Sequence, residues 1–236
     1  MASITAVAES STTTDGPSFA TASFTPATDD LLVIAVHAGG TALGGTLTSS
    51  VGGQTYTQAY TRTIGLGTFS LFIADQLATN VSQTATFDCT GDDFTGIIIA
   101  PFRVSGMTNV GSAALLQSAA RSVGGGGSIF ATFGAAPLTS NPIILAACCN
   151  DNTPGLTEPT GFSVASQPVL STPQHCLCTC FVDSGITATA PTWTGTFGGS
   201  SQALGFELDS SVPGAGHPTI KRFGGVPFAS MNRGVW

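Results

Sequence analysis

The chain writes nearly the same message twice. Asp30-Leu31-Leu32-Val33-Ile34-Ala35-Val36 returns as Asn141-Pro142-Ile143-Ile144-Leu145-Ala146-Ala147. Thr68-Phe69-Ser70-Leu71-Phe72-Ile73-Ala74-Asp75 returns as Cys176-Leu177-Cys178-Thr179-Cys180-Phe181-Val182-Asp183. Phe102-Arg103-Val104-Ser105 returns as Phe206-Glu207-Leu208-Asp209, and order and residue type are preserved throughout. Leu31–Val36 is a fully apolar run of strand length, the pattern of a strand buried on both faces or in a sandwich core. Two similar β-rich modules in tandem are the simplest fold such a sequence allows.

The rest of the chain agrees. Residues 3–9, Ser18–Phe24, Gln54–Arg62 and Val81–Phe87 read as strands of the first module, and Gly96–Val104 closes it. Gly39–Gly53 reads as a loop with room for one short strand. In the second module the candidates are Ile129–Phe133, Ile143–Cys149, Phe162–Ala165, Cys176–Val182, Thr187–Trp193 and Ala203–Leu208. Residues 112–121 have helical propensity, but their position matches residues 3–9 and predicts strand and loop. Sustained helical periodicity is absent, and 30 glycines and 13 prolines suit the turns of short strands. The expected fold is all-β: two tandem β-sandwich modules of jelly-roll or immunoglobulin-like type, 1–106 and 107–210, with an extended C-terminal arm, 211–236.

Charge is scarce. Charged residues make up 8% of the chain, against about 25% in an ordinary globular protein. Ser, Thr, Gly, Asn and Gln must therefore cover most of the outside, which suits a surface largely occupied by neighbours and is also common in secreted β-proteins. All thirteen acidic residues lie in the body, whereas residues 211–236 hold Lys221, Arg222 and Arg233 and no acid. A basic arm on an acidic body can dock on another copy by charge complementarity. An acidic body repels phosphate, and no basic stripe with interleaved aromatics is present, so nucleic acid is not an expected partner. Residues 1–30 do not read as a signal peptide, and the apolar runs are far shorter than the roughly 20 residues of a membrane-spanning helix.

No constellation in the sequence selects a chemistry. Phosphate-loop, nucleophile-elbow and dinucleotide glycine patterns are missing. His37, His175 and His217 are unclustered and read as surface or edge residues. Cys89, Cys148, Cys149, Cys176, Cys178 and Cys180 read as buried reduced thiols, a weak sign of intracellular origin; a disulfide or a metal site is the alternative. On a strand, Cys176, Cys178 and Cys180 share one face. Asp88, Asp92 and Asp93 form an acidic loop that could offer oxygens to Ca²⁺ and reads first as a solvated turn. The expectation is a protein that is not an enzyme and needs no cofactor and no metal.

Beyond Ser210 the pattern changes. Gly216-His217-Pro218-Thr219-Ile220-Lys221-Arg222-Phe223-Gly224-Gly225-Val226-Pro227-Phe228 is glycine-rich, basic and rich in large apolar groups, and too short to build its own core. Together with the repeated modules, this arm resembles small structural proteins of tailed bacteriophages, the virion, decoration and tail-associated proteins. The resemblance implies a capsid decoration or cement protein, assembled in the host cytoplasm. Its partners would be other copies of itself and a major capsid or tail protein, not nucleic acid or membrane. Ile220, Lys221, Arg222, Phe223, Val226, Phe228, Arg233 and Trp236 are the expected partner-binding residues. The alternatives are a tail or fibre component that recognises host-surface glycans, and a secreted β-sandwich hydrolase or carbohydrate-binding module.

Overall fold

A computed structural model describes residues 1–40, 44–64, 67–90, 93–123, 129–149, 155–172, 174–196 and 201–211. The arm beyond Ser211, and with it every expected partner-binding residue, lies outside the described residues.

In the first module the strands are β1 (Ser3–Ala6), β2 (Ser10–Thr12), β3 (Ser18–Ala20), β4 (Leu31–Gly39), β5 (Gly44–Ser49), β6 (Tyr56–Ile64), β7 (Gly67–Ala74), β8 (Ala85–Thr90) and β9 (Ile97–Ser105). A short 3-10 turn, Gly111–Ala114, opens the second module. Its strands are β10 (Leu115–Val123), β11 (Ile129–Phe130), β12 (Ile143–Cys149), β13 (Gly155–Thr157), β14 (Ser163–Ser166), β15 (Val169–Ser171), β16 (Gln174–Val182), β17 (Thr192–Thr196) and β18 (Ser201–Leu208). Residues 112–121 are thus turn and strand, as position rather than propensity predicts.

Each module builds one large and one small antiparallel sheet. The first has β1-β9-β4-β7-β6, with β2 also on β9, and β3-β8-β5. The second has β10-β18-β12-β16-β14, with β15 also on β16, and β11-β17-β13. The two orders match strand for strand, and the three repeated sequence segments are the three central strands of each large sheet. The match extends to irregularities. A bulge at Ala59 in β6 faces Phe72 and Leu71, and a bulge at Ala165 in β14 faces Cys180 and Thr179, the repeat equivalents of that pair. Both bulges sit on edge strands, where the extra residue bends the ladder and blunts an edge open to stray pairing.

Register fixes which way each side chain points. His37 of β4 pairs with Phe69 of β7 and Ile98 of β9, so these residues share a face with Val33, Ile73 and Phe102. That face meets the second module: Phe69 stacks on Phe206 with centroids 5.8 Å apart, and Phe102 meets Phe181 edge-on at 6.5 Å. The opposite face meets the module's own small sheet, where Phe72 packs against Phe87 at 6.0 Å. In the second module, Ile144, Ala146, Cys148, Leu204 and Phe206 point inward into the common core. Ile143, Leu145, Ala147 and the cysteines Cys176, Cys178 and Cys180 point outward, toward Ile129, Leu156 and Trp193.

The molecule is therefore four sheets deep, with the large sheets as the two middle layers. This explains why β4, β7, β12 and β18 are buried along their whole length. An antiparallel sheet usually keeps one wet face and alternates. These cannot, because a second sheet covers each side, so apolar residues predominate along their whole length and the polar ones among them, such as His37 and Glu207, are buried too. The modules share one apolar core rather than merely touching.

Candidate functional site

The joint between the two large sheets holds a pair of buried histidines. His37, near the end of β4, is 1% exposed, and His175, in β16, is 3% exposed. The expectation that they are surface or edge residues is wrong: each strand end is covered by the other module, which no single-strand reading reveals. His217 lies outside the described residues. The two imidazoles meet edge to face with centroids 5.2 Å apart. Nδ1 of His37 donates to the Cys176 carbonyl at 3.1 Å. Its Nε2, and Nδ1 of His175, have no hydrogen-bond partner among the described residues. Burial and the neighbouring His175 ring push the His37 imidazole down to about 3, and burial lowers His175 as well. Both rings are neutral at pH 7.

Two glycines make the pairing possible. A Cβ on Gly67 would come within 2.7 Å of His37 Nε2, and one on Gly39 within 2.6 Å of His175 Nε2. Gly39 and Gly67 are register partners across β4 and β7. The sequence shows them only as loop-like glycines, so this histidine pocket carries no local signature.

A polar clasp joins the modules at the other end of the sheets. Asp183, after β16, accepts from Ser3 Oγ at 2.9 Å and from the Ile4 backbone N–H at 2.6 Å, both in the first module. Its repeat equivalent Asp75, after β7, accepts from Thr57 Oγ1 at 2.5 Å. A Cβ on Gly111, at the start of the second module, would lie 2.6 Å from Asp75 Oδ1. Each aspartate thus lies against the strand that opens the partner module, or the turn leading into it.

The cysteines are not all reduced, as the sequence reading expects. Cys149 and Cys176, register partners on adjacent strands β12 and β16, form a disulfide with Cα atoms 5.3 Å apart. Cys148, Cys178 and Cys180 are free and buried, and Cys89 is free and half-buried. Burial raises the Cys178 thiol to about 12 and lifts Cys148 and Cys180 well above their usual range, so none is a thiolate near neutrality. Cys176, Cys178 and Cys180 do share a face, as alternation predicts. Among the described residues no group of three or more His, Cys, Asp or Glu could hold a metal ion. Of the acidic loop, Asp88 lies in β8 and Asp93 is exposed, while Asp92 is outside the described residues.

The exit of the arm is fixed at the same joint. Thr108 Oγ1 and Asn109 Nδ2, in the linker between modules, donate to the Ser211 carbonyl at 3.2 and 3.1 Å, and Asn109 also donates to the Asp209 carbonyl at 3.1 Å. No protein-family model, curated protein or solved structure matches this chain.

Proposed function

We propose that this chain is a non-enzymatic structural protein of a virion, most simply a capsid decoration or cement protein that binds neighbouring subunits through its arm. The observation that carries the reading is the contrast between body and arm. The body is a four-layer apolar block with a lightly charged exterior; among the described residues one ion pair forms, Arg103 with Asp30 at 4.0 Å. From Ser211, held on the module linker, the chain passes into a segment with Lys221, Arg222 and Arg233 beside Ile220, Phe223, Val226, Phe228 and Trp236. Large apolar groups gain stability by burial, and basic groups are drawn to an acidic body such as a second copy presents. The arm supplies both to a partner.

The test is deletion of residues 212–236. The truncated chain is expected to fold, with unchanged far-ultraviolet circular dichroism, and to lose at least tenfold in occupancy on capsids or tails. Wild-type occupancy by the truncated chain would sink the proposal. A specific signal on a glycan array, with no capsid binding, would assign the protein to the fibre reading instead.

A further inference from the structure

We propose that the His37–His175 pair is an acid-operated latch between the modules, whose protonation opens the joint and bares the apolar inner faces of the two large sheets. The inference rests on geometry in the body and is independent of the arm. Two imidazoles are packed edge to face at 5.2 Å inside the common core. One inter-module hydrogen bond, from His37 Nδ1 to the Cys176 carbonyl, holds them. Among the described residues one buried nitrogen on each ring has no hydrogen-bond partner, so an incoming proton finds an acceptor and no compensating charge there.

The surroundings offer no relief. The register partners of His37 are Phe69 on β7 and Ile98 on β9, and that of His175 is Leu170 on β15. Gly67, Gly39 and Thr95 close the pocket around the two Nε2 atoms. None of these carries a charge. The first proton places a bare cation in an apolar layer, and a second places two like charges side by side, which is costly in a low-dielectric interior. Separating the sheets lets water reach both rings and removes that cost. Each module keeps its other covered face, with Phe72 on Phe87 in the first and Trp193 against β12 and β16 in the second. Opening therefore proceeds at the joint, where the charge arises. The faces released carry Phe69, Phe102, Phe181 and Phe206.

The full-length protein is titrated from pH 7.5 to 4.0 while binding of an apolar fluorescent dye and far- and near-ultraviolet circular dichroism are followed. Dye binding is expected to rise several-fold with its midpoint below pH 6.5, with strand content retained. The double variant His37→Phe/His175→Leu, checked for native dichroism at pH 7.5, is expected to move that midpoint down by at least one pH unit. An unchanged midpoint in a folded double variant assigns any opening to groups other than the two histidines and overturns the latch. Should the double variant not fold, nuclear magnetic resonance of the wild-type histidines decides. Two rings that stay neutral until the dye signal appears, then protonate with it, support the latch. Rings that protonate near pH 6.5 without opening overturn it.

Discussion

Glu207 and Arg103 occupy the same place in the two copies of the repeat, and their exchange shows how one site can be solved twice. In the first module a turn brings the Asp30 N–H to the Ala27 carbonyl at 3.3 Å. The Asp30 carboxylate accepts from the Ala27 N–H at 2.9 Å, with Arg103 of β9 beside it. In the second module the equivalent turn closes with Asn141 N–H on the Leu138 carbonyl at 3.0 Å. Here the acid has moved to β18: Glu207, 0% exposed, accepts from the Leu138 N–H and Asn141 Nδ2, each at 2.8 Å, and from Gln117 Nε2. A carboxylate near each turn accepts from one of the turn's backbone N–H groups. Glu207→Ala leaves the Leu138 N–H and Asn141 Nδ2 without their acceptor, while Gln117 Nε2 keeps the Ala135 carbonyl, and should cost about 2 kcal/mol or more in urea unfolding, with Glu207→Gln much milder. His37 gives a second prediction at this scale. Its folded value of about 3 lies below the ordinary imidazole range, so the unfolded chain binds the proton first. Stability is complete above about pH 6.5 and falls as pH drops, by about 1.4 kcal/mol per unit from His37 alone. Urea midpoints at pH 7.5, 6.5 and 5.5 check the slope, and His37→Phe should flatten it before carboxylates begin to titrate.

Strands β12 and β16 are tied twice, by a seven-residue ladder and by the Cys149–Cys176 disulfide. The bond closes a 27-residue loop containing β13, β14 and β15, and restricting that loop in the unfolded chain stabilises the fold by on the order of 3 kcal/mol. Cys149→Ala/Cys176→Ala should lower the urea-derived stability by about that amount while keeping the native dichroism; no change would mean that the cross-link carries no stability. The β13–β17 pair depends on a different detail. Gly195 has φ +121°, and a Cβ there would fall 1.8 Å from the Gly155 carbonyl oxygen. Elements of this kind divide by how much of their cause is local. The central strands β4, β7, β9, β12, β16 and β18 are legible because burial on both faces leaves few positions free to be polar, and the repeat shows each kind twice. β13 and β15, three residues each, were not, because tripeptides such as Gly155-Leu156-Thr157 carry no periodicity and pair only where β17 and β16 present an edge. β5 was seen only as a possibility inside a glycine-rich run, and its partner β8 decided it. The disulfide needed the register of β12 against β16, and the histidine joint needed the packing of one module on the other; neither is a property of any one segment.

The common core makes the two modules one cooperative unit, although their sequences repeat like beads on a string. Phe206 belongs to β18, yet it stacks on Phe69 and meets Tyr60 edge-on at 5.3 Å, both in the first module. Pulling the modules apart at pH 7.5 would expose the inner faces of both large sheets, Phe69, Phe102, Phe181 and Phe206 among them. A loss far from the joint should therefore be felt throughout. Phe87 tests this, because it sits in the outer small sheet of the first module, 2% exposed against Phe72. Phe87→Ala should cost about 3–5 kcal/mol, the range for removing a buried aromatic side chain. In a Trp236→Phe background, Trp193 fluorescence reports the outer layer of the second module, at the far side of the molecule from Phe87. At pH 7.5 the Trp193 transition and the far-ultraviolet transition should coincide, and Phe87→Ala should move both by the same amount. If the Trp193 midpoint stays where it was while dichroism shifts, the modules unfold independently and the core they share is not what holds them together.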